Sequence, residues 1–135
     1  MSIYVGIKPK IIGVKPSSNI QHRNDTERLS NSTSPTKIKE IVNLVAGVWR
    51  VEFKLRTTNS AGTAYGQIYR NGSPYGTLRS TTSTTYVTFQ EDLPFQVGDF
   101  IQLYVYISNS AYYVVTKELR LLGDFTDIPA YNSIT

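Results

Sequence analysis

The chain has 135 residues, with fourteen Lys/Arg against ten Asp/Glu, a single histidine and no cysteine. That length suits one domain with a core of its own, held without disulfide or metal. The missing cysteine excludes a thiol nucleophile, a cysteine-ligated zinc or an iron–sulfur cluster. Charge is lopsided: residues 1–56 carry ten Lys/Arg against four Asp/Glu, and residues 57–135 carry four against six. Around the basic residues Lys8, Lys10, Lys15 and Arg23 only Tyr4 is available to stack on a base, so nucleic acid is not an expected partner. No apolar run is long enough for a signal peptide or a membrane span. The expectation is a chain made in a cytosol, with no membrane contact.

One short phrase occurs twice at the start, Val5-Gly6-Ile7-Lys8-Pro9 and Ile12-Gly13-Val14-Lys15-Pro16. Proline removes a backbone donor and keeps the residue before it extended, so each copy reads as strand-like and able to pair at a sheet edge. Val5, Gly6, Ile7, Pro9, Ile12, Gly13, Val14 and Pro16 are therefore candidate residues of an inter-subunit arm. An ordinary edge strand of the chain's own sheet is the competing explanation. Residues 17–36 are dominated by Ser, Thr, Asn and charge, with only Ile20 and Leu29 as large apolar residues, and read as a linker or surface loop. The division expected is residues 1–36 as basic arm and polar linker, and residues 37–135 as the folded body.

Within the body, Thr36 to Gly47 has apolar residues at helical spacing but is rich in β-branched residues, and is assigned to a strand. Trp49, Val51, Phe53 and Leu55 alternate with Arg50, Glu52, Lys54 and Arg56, the clearest period of two in the chain. Asn71-Gly72 marks a hairpin between residues 63–70 and 74–79, with Ser73-Pro74 suggesting a slightly longer loop. Residues 83–90 form a further strand closed by Leu93-Pro94 and the Val97-Gly98-Asp99 turn. Ile101, Leu103, Val105 and Ile107 alternate with Phe100, Gln102, Tyr104 and Tyr106, so this strand is expected to be covered on both faces. Residues 111–122 complete the sheet. Seven strands with frequent turns point to an all-β fold, an antiparallel β-sandwich of jelly-roll type with an extended N-terminal arm.

Little in the sequence carries chemistry. His22 lies in the polar stretch and is expected to face solvent. No serine sits in a nucleophile elbow, and no phosphate-binding or dinucleotide motif is present. Glu91, Asp92, Asp99, Asp124 and Asp127 fall at turns and strand ends, where acids usually serve as turn formers rather than as a hydrolytic pair or a calcium site. No catalytic residue, cofactor or metal is expected. Tyrosine is the feature that can carry binding: Tyr65, Tyr69, Tyr104, Tyr106 and Tyr112 fall in or beside strands and suit either a subunit interface or contact with a glycan.

Three segments, Ala46-Gly47-Val48-Trp49-Arg50-Val51-Glu52-Phe53, Tyr69-Arg70-Asn71-Gly72-Ser73-Pro74-Tyr75-Gly76-Thr77 and Val97-Gly98-Asp99-Phe100-Ile101-Gln102-Leu103-Tyr104, give the body from Ala46 to Asp124 its rhythm. That stretch resembles the small β-sandwiches of virion structural proteins from tailed phages and related prokaryotic viruses. It is similar in rhythm to the trimeric C1q and tumour-necrosis-factor jelly rolls. The resemblance implies a non-enzymatic subunit, located in the virion, that self-associates, with a trimer favoured, and contacts other virion subunits. Capsid decoration or an accessory head or tail role is the expectation it carries, and a carbohydrate-binding module for a host-surface glycan is the alternative.

Overall fold

The computed structural model describes residues 10–129. Ten strands follow in order: β1 (Lys10–Asn24), β2 (Arg28–Ser30), β3 (Thr36–Val42), β4 (Ala46–Thr57), β5 (Ala64–Arg70), β6 (Ser73–Pro74), β7 (Arg79–Thr81), β8 (Val87–Phe95), β9 (Phe100–Ile107) and β10 (Val114–Pro129). They form two mostly antiparallel sheets, β2-β10-β1-β4-β8 and β3-β9-β5-β6, with β7 also on β5. Among the described residues there is no helix.

The core lies between the sheets and follows from the period-two pattern. β4 contributes Trp49, Val51, Phe53 and Leu55, and β9 contributes Ile101, Leu103, Val105 and Ile107, all nearly without solvent contact. β10 contributes Val114, Leu119 and Leu121. Its inward positions change parity between Thr116 and Leu119, because a bulge falls between Lys117 and Arg120 in the ladder with β4. Glu118, inside that bulge, has φ 64. A non-glycine residue there is strained by about 1 kcal/mol or more, and its carboxylate is held 2.6 Å from Lys54 Nζ and 3.3 Å from Arg120 Nη2.

Strand β3 is a strand, as the β-branched run suggests. The Asn71-Gly72 hairpin is tighter than expected: Arg70 pairs with Ser73, and both central residues have positive φ, 51 and 83. That is a two-residue loop of the primed kind, whose twist matches the flanking strands. Strand β8 runs through Leu93-Pro94 to Phe95 instead of ending there. Proline is tolerated because β8 is the outer strand of its sheet, paired only with β4.

The largest departure from expectation is at residues 12–24. Residues 17–24, read as linker, are the second half of β1, and Arg28–Ser30 form β2 against β10. Polar side chains do not prevent this, because a strand's pairing comes from its backbone and a strand with one solvated face needs few apolar residues. β1 also changes sides of β10. Gly13 and Val14 lie between β10 and β4, pairing with Thr126 and Phe125 on one side and Ala46 and Gly47 on the other. Residues 20–24 pair with β10 on the side away from β4. The crossing occurs between Lys15 and Ile20, opposite Gly123. A Cβ on Gly123 would sit 2.6 Å from Val14 Cγ2 and 2.8 Å from the Lys15 carbonyl oxygen, and one on Gly47 would sit 2.3 Å from the Val14 carbonyl oxygen. Both positions require glycine so that β1 can wedge in.

At the opposite end, two corners carry the chain between sheets, and they repeat one phrase. Asn59-Ser60-Ala61 links β4 to β5 and Asn109-Ser110-Ala111 links β9 to β10. In each, the asparagine side chain accepts from the alanine N–H at 2.9 Å. The two corners then bond reciprocally: Thr58 N–H donates to Tyr113 O at 3.1 Å, and Ser108 N–H donates to Thr63 O at 3.0 Å. The arrangement is an approximate two-fold centred on this end.

Candidate functional site

The tyrosines expected to carry binding assemble on the outer face of the second sheet. On β5 and β9, Tyr65 lies opposite Tyr106, Gln67 opposite Tyr104 and Tyr69 opposite Gln102. The rings stack in two pairs, Tyr65 on Tyr106 at 4.4 Å and 11°, and Tyr69 on Tyr104 at 3.7 Å and 9°. Tyr65 and Tyr106 are directly opposite on neighbouring strands, whereas Tyr69 and Tyr104 are diagonal partners, and in both pairs the rings are parallel and in contact. Their faces are turned to each other. Tyr69 is buried, as is Gln102 beside it, while Tyr65, Tyr104 and Tyr106 are half-buried.

Glutamines knit this face to the rest of the fold. Gln102 donates to Glu40 Oε1 at 2.8 Å and accepts from Gly72 N–H at 2.8 Å, and Gln67 donates to Gly76 O at 2.8 Å. Burial raises the Tyr106 phenol above its ordinary value, and the neighbouring Tyr65 and Tyr69 push the same way. Tyr112 does not join them. It packs against the core near the 108–113 corner, next to Gly62 and Ile107.

Of the five acids expected at turns and strand ends, Glu91 and Asp92 lie within β8, Asp124 and Asp127 within β10, and Asp99 in the turn before β9. Glu91 accepts from the Thr77 N–H and hydroxyl at 2.9 and 2.8 Å. Asp92 pairs with Arg50 at 3.0 Å. Asp99 is buried and accepts from Gln96 N–H at 2.8 Å and Asn71 Nδ2 at 2.9 Å, with Arg70 Nε at 3.1 Å. The Gln96 bond first, with Asn71 and Arg70 helping, holds its carboxyl below the usual range. Asp124 accepts from Ser17 and Asn19, at 2.9 and 2.6 Å, which fastens the crossing segment of β1. Asp127 lies on β10 opposite Ile12.

His22 differs from its expected solvent-facing loop position. It is in β1, half-buried, with its ring edge-on to Trp49 at 5.8 Å. Of the arm residues, Ile12, Gly13, Val14 and Pro16 belong to β1 inside the chain's own sheet, and Val14 is in the core. Val5, Gly6, Ile7 and Pro9 lie outside the described residues.

Two charged groups escaped the sequence reading. Lys39 points inward from β3 and is almost fully buried, donating from Nζ to Asn24 O at 2.7 Å and to Thr26 O. Burial lowers its pKa, with Arg28 acting in the same direction. An inward lysine on an outer strand also discourages further strand addition at that edge. Arg120, on the outer face of the first sheet, is the hub of an ion-pair network. It reaches Asp25 at 3.0 Å, Glu118 at 3.3 Å and Glu52 at 3.9 Å. Its hydrogen bonds hold the Asp25 carboxyl below the usual range. Alternating charge along β4 hinted at this network, but its partners come from β10 and from the stretch read as linker.

Among the described residues no cluster of His, Cys, Asp and Glu is placed to hold a metal ion. No family model matches the chain, and no curated protein matches it in sequence.

Proposed function

We propose that the protein is a structural subunit of a virus particle that works by assembling with copies of itself, through the tyrosine face of the second sheet. The observation that carries this reading is the composition of that face. Tyr65, Tyr69, Tyr104 and Tyr106 with Gln67 and Gln102 make an uncharged, tyrosine-rich surface on β5 and β9, bordered on β3 by the Lys37–Glu40 ion pair, the pattern of an interface core with a polar rim. Jelly-roll wiring, and the resemblance to virion sandwiches that goes with it, is part of the proposal. It is supported by the alternation of the longer strands from β3 onward between the sheets, β3, β5 and β9 in the second and β4, β8 and β10 in the first, with the short β6 and β7 staying beside β5.

Contact with a glycan is less well supported. Sugar rings stack on the flat face of an aromatic side chain, and here the faces that meet within each tyrosine pair are already used.

Light scattering across a concentration series tests the proposal on the wild-type chain and on Tyr106→Lys. The expected result is a defined oligomer that dissociates in the variant while the far-ultraviolet β signature is unchanged. A variant with the wild-type mass removes the tyrosine face as the contact. A monomeric wild type that binds an oligosaccharide array, with binding lost in Tyr106→Lys, replaces assembly with carbohydrate recognition.

A further inference from the structure

Beyond β5 the second sheet ends in the short strands β6 and β7, and the chain between them runs along β8 of the first sheet. The Tyr75 hydroxyl donates to Pro94 O at 2.6 Å. The Thr77 N–H and hydroxyl donate to the Glu91 carboxylate at 2.9 and 2.8 Å, and Arg79 Nη2 donates to Gln90 O at 3.3 Å. Residues 75, 77 and 79 thus meet 94, 91 and 90 in antiparallel order. The same segment is anchored separately to β5, because the N–H groups of Tyr75 and Gly76 both donate to Ile68 O, at 3.1 and 2.9 Å, and Gln67 donates to Gly76 O at 2.8 Å. Its approach to β8 is close: a Cβ on Gly76 would sit 2.7 Å from Glu91 Oε2.

β8 is nine residues long, and among the described residues no strand lies beyond it. In an antiparallel ladder alternate residues turn both backbone groups to opposite sides. Gln90 and Pro94 give their carbonyls to Arg79 and Tyr75, so Thr88, Gln90, Asp92 and Pro94 are the residues whose backbone turns away from β4. Pro94 has no N–H to offer a further strand, but the other three keep theirs. A second β8 laid antiparallel and centred on Gln90 would set Thr88 against Asp92 and Phe89 against Glu91. No like charges are opposed in that pairing, so the segment from Tyr75 to Arg79 and the inward Glu91 that it holds are what stand against it. The other open side of the sandwich is closed in the same way with the charge reversed. There Lys39, on the outer strand β3 of the second sheet, donates to Asn24 O and Thr26 O in the turn between β1 and β2 of the first.

We infer that residues 75–79 are a strap guarding the edge of β8, and that its ties to Gln90, Glu91 and Pro94 keep β8 from pairing with the β8 of a second copy. The inference goes beyond the tyrosine face and does not depend on it, since it assigns an edge that folded copies are kept from using. With the strap in place copies meet by their faces and not by this edge. With its ties to β8 cut, the strap stays on β5 and two first sheets join across a two-fold into one continuous sheet.

The test is sedimentation velocity on the full chain as wild type, as Tyr75→Phe with Arg79→Ser, as Glu91→Ala, and as Leu78→Ser, each also in the Tyr106→Lys background. Anisotropy of a fluorescein-labelled peptide of residues 87–95 is measured alongside. Leu78 lies in the strap, is exposed and takes no part in the bonds above, so Leu78→Ser is the control. Both released variants are expected to bind the peptide, which the wild type and Leu78→Ser leave free, and to gain a species of about twice the starting mass. Urea denaturation identifies variants that keep one cooperative transition. Glu91→Ala spares the two carbonyl caps and the double variant spares Glu91, so a folding defect in one does not decide the outcome. Peptide binding by the wild type, or folded variants that keep the wild-type mass and ignore the peptide, overturns the inference. Association without peptide binding also overturns it, because another surface is then responsible. Tyr106→Lys alone reports the tyrosine contact, so loss of that contact and gain of the edge contact are read separately.

Discussion

The two outer faces of the sandwich are both half-exposed sheet surfaces, the first built on longer strands than the second, but their chemistry is opposite. On the first sheet, side chains cross from strand to strand as ion pairs: Arg50 with Asp92, Lys54 with Glu118, and Arg120 with Asp25, Glu52 and Glu118. On the second sheet the cross-strand contacts are stacked tyrosines and bonded glutamines. An ion-paired face gains little from leaving water, because its charges would have to be desolvated again in any new contact. A tyrosine face loses little on being covered and gains from the apolar area removed from water. The difference teaches which side of this molecule is built to stay wet.

The sharpest way to break the comparison is to cut each face at a central member of its contacts. Tyr69→Ala removes the buried ring of the closer pair and is expected to cost about 3 kcal/mol in urea denaturation. Arg120→Met leaves three carboxylates without their shared partner but is partly exposed, so about 2 kcal/mol is expected. Added salt should shrink the Arg120→Met effect, because screening already weakens that network in the wild type, and should leave the Tyr69→Ala effect unchanged.

Acid and base should attack the faces separately. The Asp25 carboxyl is held below its ordinary value by Arg120, so its contribution is present above the unfolded value and is lost as pH falls through the folded one. The Tyr106 phenol is raised, so its contribution is present below the unfolded value, about 10, and is lost as pH rises through the folded one. Asp25→Asn should flatten part of the acid limb of a stability–pH curve below about pH 4, and Tyr106→Phe part of the alkaline limb. The reverse assignment would show that the two networks are not electrostatically separate. The smallest effect is expected at the rim of the charged face, where Asp92→Asn should leave the denaturation midpoint unchanged within error.

What the sequence made legible follows from how local each signal is. The alternation from Trp49 to Arg56 identifies β4 and its buried face, and Asn71-Gly72 identifies a turn, because each depends on neighbouring residues alone. Tyr65 with Tyr69, and Tyr104 with Tyr106, could be placed on shared faces by period two. Their stacking could not, since it depends on the register between β5 and β9. β10 is legible only as far as residue 122, because Gly123, Asp124 and Asp127 read as turn formers rather than as a strand's continuation. The polar stretch around Asn19 and His22 reads as a linker because its reasons for being ordered, Asp124 and the free edge of β10 from Leu119 to Leu122, lie about a hundred residues away in sequence. The repeated Asn-Ser-Ala corners are present in the sequence, but their reciprocal bonding depends on two turns fifty residues apart.

The crossing of β1 over β10 has a mechanical consequence. Lys10 and Pro129 leave the fold side by side on antiparallel strands, so tension pulling them apart loads the ribbon's hydrogen bonds one rung at a time, like a zipper. Peeling proceeds easily only as far as Ile12 and Asp127. Beyond them Gly13 and Val14 are also paired with β4 and Val14 must be drawn out of the core, and after Lys15 the strand passes Gly123 to the other side of β10. The ribbon can therefore yield to a pull at its tip while the crossing acts as a stop, protecting the sandwich behind it from strain transmitted through the termini.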